Sequence, residues 1–541
     1  MRRDACPSPD ERSEKWTLVV PVEVAPGSPG SPATDENAPA GALFALVVAL
    51  ATGLDYFDNS LFSFFAARIA GGIFASPDEL IWSSSAYAVA GVLGILHHQW
   101  WVDRLGHRSY MCGSLLLFGV AALAAAASRS SLDLAMARGI QGYLMGPMLG
   151  VSRILIQASF VGLDRTRATR LFLTMILLGS ALAPLIGGLL IGDLGWRALF
   201  WGTAVASIVI GVAAMLVVPS SGRLPAEERG SSHIWPYVVF AFGLGMLQVV
   251  VQQLRFELFS DSPILEAGTV VGLSIAAWFA WHQWHHPRPL IRLHALRVEA
   301  FRTGLILYAL YYFVSNAISY LVSRFLEAGL GMPLEVAGRL VGSTSLASLA
   351  GAVLYFRYSA SVSQKRLIIV PGFLIAALIC AWMMYMPPDV SVGWLVLPLL
   401  LRGLLLLFIA LPIGNIAFQS FAMEDYAHSY RIKNIVKQIA YSLSTATVIT
   451  MEQHRLALHE ARLGESTSAA DPNFRNAMNV VSGVFSDAGY ASQDAARLAL
   501  ARTYAMLQQQ AGFLATLDGF HFIMVVALCG AAFACLQTRI R

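Results

Sequence analysis

Long apolar runs alternate with short polar links along this chain. A bilayer core about 30 Å thick asks for about 20 predominantly apolar residues per helix. Breaks at charged or Pro/Gly-rich points leave about fourteen such runs, centred near residues 53, 90, 118, 146, 180, 208, 245, 272, 314, 345, 376, 404, 441 and 526. The pattern predicts an all-α polytopic membrane protein. Short cytoplasmic loops collect Lys and Arg. The even-numbered links hold Arg104 and Arg108, then Arg165, Arg167 and Arg170, then Arg223 and Arg229. Further on they hold Arg288, Arg292, Arg297 and Arg302, then Arg357, Lys365 and Arg366, then Arg431 and Lys433. The odd-numbered links are nearly bare, with Arg68, Arg129, Arg197 and Arg255 as their main entries. The even links and both termini are therefore expected on the cytoplasmic side. One outer link is long, Glu452 to Leu517. Its ends, "MEQHRLALHEARL" and "ASQDAARLALARTYAMLQQQAGFLATL", read as amphipathic helices forming a hairpin over 453–515, broken by the polar "GESTSAADPNF".

Composition agrees with this class. The chain has 541 residues, 56% of them apolar and 13% charged. Soluble proteins carry roughly 25% charged residues, so this one cannot clothe a water-facing surface of its size. A net charge of +4, scattered between apolar runs, suggests no nucleic-acid partner. Residues 1–40 are polar and Pro-rich and are expected to form a disordered cytoplasmic tail rather than a signal peptide. Cys112, Cys380, Cys529 and Cys535 lie in apolar runs, Cys6 in the tail, and none has metal-site spacing. His97, His98, His282, His285 and His286 offer no third ligand, so no metal site is expected. Nor is there a nucleophile–base pair, a phosphate loop or a sign of a cofactor, which argues against a membrane-embedded transferase.

Several short stretches carry more information. "HHQWWVDRLGHRSY", residues 97–110, links the second and third runs and contains Asp103, Arg104, Gly106 and Arg108. It resembles the G-x-x-x-D-R-x-G-R-R/K signature of the major facilitator superfamily, with Gln99 at the leading Gly. Gly106 permits a tight turn, and the charges can latch one face of a transporter; the leading Gly would let two helices approach closely. "RGIQGYLMGPMLG" resembles that family's R-x-x-Q-G motif, with Arg138, Gln141 and Gly142 in place. "GSALAPLIGG" resembles its antiporter motif, matching at Gly179, Pro184, Gly187 and Gly188, with Ala183 for a Gly. "GWRALFW", "HHPRPLIRL" and "NIVKQIAYSLSTA" resemble later links, the last with Lys437 where Arg is usual. The whole chain resembles the fourteen-span drug:proton antiporters of the EmrB-like group.

The resemblance implies two six-helix bundles, over 41–220 and 300–541, with an inserted hairpin over 234–283. It implies proton-coupled efflux of amphipathic or apolar small molecules across a bacterial inner membrane, driven by the proton gradient without a cofactor. On the same fold, a dedicated exporter of a lipid, siderophore or natural product is the alternative. A periplasmic adaptor leading to an outer-membrane channel is the implied protein partner, and lipids surround the chain. The 453–515 hairpin is then either a docking element or a lid.

Charges inside apolar runs are expensive and mark function by default. Asp55 and Asp58 are three residues apart on one helical face, where mutual repulsion favours a proton on one of them. Arg138 and Gln141 share a face of the fourth run. Asp58 or Asp55 is the expected proton carrier, with Arg138 beside it. Glu327 is a further coupling candidate, and Gln248 and Gln252 are candidate cavity groups.

Overall fold

The structure, a computed structural model, describes residues 41–220, 234–253, 262–286, 289–358, 362, 364–418, 421, 423–465, 467 and 471–537. The expected tail over 1–40, the loop residues Arg223, Arg229, Arg255 and Arg288, and part of the polar breaker after Gly464 lie outside them.

The described elements are α-helices: α1 (Ala42–Phe64), α2 (Ala66–Gly72), α3 (Pro77–Leu105), α4 (His107–Ala127), α5 (Ser131–Met145), α6 (Met148–Ser159), α7 (Gly162–Leu194), α8 (Arg197–Val217) and α9 (Ile234–Gln253). They continue with α10 (Pro263–His285), α11 (Glu299–Arg324), α12 (Leu334–Tyr358), α13 (Arg366–Met384), α14 (Val392–Leu405), α15 (Leu411–Phe418), α16 (Met423–Glu465), α17 (Pro472–Asp487) and α18 (Ser492–Leu536). One-turn π segments follow α11 and α14, and a short 3₁₀ turn precedes α11.

Twelve helices among the described residues are long and apolar enough to cross a membrane. The fourth and thirteenth apolar runs are the two outside that set, for identifiable reasons. The fourth is cut at Gly146-Pro147 into α5, of 15 residues, and α6, of 12; proline has no N–H to continue the first helix. The thirteenth, α16, is 43 residues long but carries Arg431, Lys433 and Lys437. These positions correct the loop assignment of Arg431 and Lys433. Both lie inside α16 and are only 3% and 4% exposed.

Helix α1 packs along α7, α3 on α5, and α4 on α8. In the second half α13 packs on α18, α11 on α16, and α16 on α18. Helix α12 lies on α7, joining the halves, while α9 pairs with α10 and touches α3 and α16. Outward faces are apolar. On α8, Val205, Val209, Val212 and Leu216 are exposed at helical spacing, as lipid-facing residues must be.

Beyond the apolar core the hairpin expectation needs correction. A third helix, α17, stands between the ends of α16 and α18. Asp471 caps it by accepting from the Asn473 N–H at 2.8 Å, and Pro472 occupies its first turn. Helix α18 runs unbroken for 45 residues, about 68 Å at 1.5 Å per residue.

Candidate functional site

The two α1 carboxylates face different cations. Asp58 receives a charge-assisted hydrogen bond from Arg138 of α5 at 2.5 Å, and each is 1% exposed. The same guanidinium nitrogen donates to Gln141 Oε1 at 3.0 Å. The guanidinium lies over the Phe62 and Tyr87 rings, 4.3 and 4.4 Å from their centroids. Asp55 Oδ1 accepts from the Tyr87 hydroxyl of α3 at 2.6 Å and from Asn59 Nδ2 at 3.0 Å. Its Oδ2 lies 3.7 Å from Lys437 Nζ on α16. A buried charge requires this kind of pairing and hydrogen bonding to persist. Three polar atoms of the cluster, Asp58 Oδ1, Arg138 Nε and Gln141 Nε2, have no partner among the described residues.

The interior face of α16 carries more than Lys437. Tyr426, Tyr430, Lys433, Lys437 and Tyr441 recur at intervals of three or four residues, so they share one face. Opposite them, Tyr308 and Tyr312 of α11 are stacked, with centroids 5.8 Å apart. Lys437 Nζ also sits 4.1 Å above the Tyr56 ring. The sequence reading missed Lys433 as an interior group. The aromatic stripe on its own helix was the available signal.

At the α3–α4 end, Gly106 adopts φ +80° and turns the chain sharply, a conformation that suits glycine. Arg104 donates to the Trp100 carbonyl at 3.1 Å and its guanidinium covers the Trp100 ring at 3.8 Å. Arg108 stands on the first turn of α4. Among the described residues Asp103 has no direct hydrogen bond to the facing helix α16. Gln99 Nε2 donates to Asp103 Oδ1 at 2.6 Å, and Gln99 Oε1 accepts from Arg431 of α16 at 2.7 Å. Arg431 also donates to the Leu290 carbonyl at 3.2 Å. The residue that departs from the family signature thus relays between Asp103 and α16.

The α7 motif divides between two neighbours. Side-chain carbons at Gly179 and Gly187 would overlap the Gly53 carbonyl and the Phe65 ring, so these glycines serve contact with the first helix pair. Pro184 and Gly188 face α12, near Gly338 and Glu335. Gln248 donates to Ser85 of α3 at 2.9 Å and accepts from Ser442 of α16 at 2.6 Å; Gln252 also donates to Ser85. They therefore tie α9 to the seam between α3 and α16. Glu327 lies in the π segment after α11. Glu452, which the sequence reading passed over, holds the neighbouring position. It accepts from Arg324 at 3.0 Å and from Tyr320 at 2.8 Å.

The sequence model of the Major Facilitator Superfamily matches residues 48–445. Multidrug export protein EmrB of Escherichia coli K12 is 22% identical over 435 residues, covering 80% of this chain and 84% of that protein. Fatty acid resistance protein FarB of Neisseria gonorrhoeae is 21% identical over 423 residues, covering 78% and 82%. Among solved structures, a bacterial homologue of the human lysosomal transporter Spinster, in an inward-facing and occupied conformation, superposes with a TM-score of 0.59 at 14% identity. That match covers 93% of this chain and 98% of the other. The chain belongs to the major facilitator superfamily and is a multi-pass secondary transporter.

Proposed function

We propose that this transporter exports amphipathic or apolar small molecules from the cytoplasm across a bacterial inner membrane in exchange for protons. Two relatives named for multidrug export and fatty acid resistance support the direction and the apolar character of the cargo. The carrying observation is the pair of buried carboxylates, each set against its own cation. Asp58 and Arg138 lie on α1 and α5, whereas Asp55 and Lys437 join α1 to α16. Protonation of Asp55 removes the attraction that holds Lys437 and loosens α1 from α16. Asp58 and Arg138 hold the α1–α5 register while this happens. Residues 41–220 and 300–541 rock as two bundles about this level, with 234–283 as an accessory hairpin. Asp103, Arg104 and Arg108 act at the cytoplasmic rim, and both termini are cytoplasmic. The proton gradient is the driving force, with no bound cofactor.

The test is dye efflux from proteoliposomes with an imposed pH gradient. Asp55→Asn and Asp58→Asn are each expected to abolish gradient-driven efflux. Efflux at the wild-type rate from both variants would remove the carboxylate pair from the mechanism. A second reading, a dedicated lipid exporter on the same fold, is favoured by the fatty acid resistance relative. A single preferred acyl substrate in a screen would select it. The α16–α17–α18 extension is proposed to meet a periplasmic adaptor.

A further inference from the structure

Among the described residues, cations outnumber carboxylates where α1, α5, α6 and α16 meet. The two α1 carboxylates are matched one to one by Arg138 and Lys437. Two more cations lie at the same seam. Arg153 of α6 spends its donors on neutral oxygens, the Tyr426 hydroxyl at 3.0 Å and Thr169 Oγ1 at 2.7 Å. Lys433 is 4% exposed, and its ammonium makes no ion pair or hydrogen bond with any described residue. Its contacts are ring faces: Tyr430 at 4.6 Å, Tyr308 at 5.4 Å and Tyr312 at 5.7 Å from the centroids.

Ring faces attract a cation but do not replace a counter-ion. A lysine serving only as a cytoplasmic anchor would extend its stem and place the ammonium in water. This one is held inside, a turn from Lys437, on the face of α16 that looks toward α1 and α11. An unmatched buried cation walled by aromatic rings is suited to a ligand that brings one negative charge on an apolar body. The charge would neutralise Lys433 with Arg153 nearby. The rings, with Phe418 tilted against Tyr426 and Tyr430 at 5.5 and 5.4 Å between centroids, would line the apolar part.

We infer that Lys433, with Arg153 beside it, is the head-group site for a singly negative amphiphile, a carboxylate on a long apolar chain being the simplest case. This inference rests on the export reading and narrows its substrate class. It also separates two tasks on one helix face: Lys437 pairs with the protein's own carboxylate, and Lys433 with the cargo's.

The test is equilibrium binding to the purified full chain in a neutral detergent, without any gradient. The probes are radiolabelled laurate, dodecanol and dodecyltrimethylammonium, which share a chain and differ in head charge. Wild type is expected to bind laurate at least tenfold more tightly than the other two. Lys433→Gln should erase that preference, Lys433→Arg should keep it, and Arg153→Gln should weaken it several-fold. Equal binding of laurate and dodecanol by wild type would overturn the site whether or not any variant folds. So would an undiminished laurate preference in Lys433→Gln. Gradient-driven dye efflux by wild type is scored separately. Efflux without laurate preference rejects the anion site alone, and laurate preference without efflux supports the site while rejecting the export reading.

Discussion

Lys437 of α16 places its ammonium 3.7 Å from Asp55 of α1, with both side chains 5% or less exposed. The pair therefore crosses between the first helix of one half and an interior helix of the other. Removing one member of a buried pair strands the other charge and costs about 3–5 kcal/mol, whereas removing both costs far less. Asp55→Asn is thus expected to lower thermal stability sharply, and adding Lys437→Gln should restore much of it. Gradient-driven efflux should be lost in both. The double-mutant cycle, by thermal unfolding of purified protein, checks this. Additive losses would mean that the two side chains do not interact.

The relay at the α3–α4 end gives a second expectation. Gln99 accepts from Arg431 and donates to Asp103, so truncating Gln99 cuts the link from α3 to α16. Hydrogen bonds to charged groups contribute about 1.5–3 kcal/mol. Gln99→Ala should therefore favour the form open at this end by about ten- to a hundredfold. Labelling of single cysteines placed along α3 and α16 near this end measures the change. Asp103→Ala should slow transport while leaving equilibrium ligand affinity unchanged. An unaltered labelling rate in Gln99→Ala would dismiss the relay.

Some of this site was readable in the sequence and some was not, for physical reasons. Asp58 and Arg138 stand out as charges inside apolar runs, where only function or pairing keeps them. Gly106 stands out because a tight turn between two spans needs it. Lys433 did not, because beside Arg431 it reads as one more basic residue of a cytoplasmic loop. Only its place on a helix face with Tyr426, Tyr430 and Tyr441 reveals it as interior. Gln99 registered as a lost glycine, since a signature describes what a position usually allows rather than what a new side chain can bond. Helix α17 was hidden inside a polar stretch, although Asp471-Pro472 is a helix-start signal.

Gly142 links packing to chemistry. A side chain there would overlap the backbone of Tyr87, and the Tyr87 hydroxyl holds Asp55. Gly142→Ala should force α3 and α5 apart, an overpacking cost of about 1–3 kcal/mol, and shift Tyr87 away from Asp55. The expected result is a lower unfolding temperature together with weakened proton coupling, at unchanged expression of helical content by circular dichroism. Wild-type coupling in a correctly folded Gly142→Ala would separate the glycine from the carboxylate site.

The extension beyond the apolar core yields the last prediction. Asp518 of α18 accepts from His459 of α16 at 2.9 Å and lies 3.7 Å from Arg455, so the two long helices are tied at their base. Helix α17 then packs on α18, with the Thr503 hydroxyl donating to Met478 Sδ at 3.4 Å. None of the residues of α17 is buried. Val480 and Val484 are 69% and 63% exposed on it, and Leu500 and Tyr504 are 57% and 56% exposed on α18. Apolar side chains displayed in pairs at helical spacing fit the protein partner proposed above better than a lid, which would bury them against the opening. Replacing 466–491 with a short Gly/Ser linker should leave gradient-driven efflux from proteoliposomes within about twofold of wild type, since α16 and α18 keep their tie at Asp518. Val480→Asp/Val484→Asp should do the same. If the extension meets an adaptor as proposed, both should lose co-purification with it from native membranes. Impaired efflux in liposomes, where no adaptor exists, with adaptor binding retained would instead make α17 part of the gate.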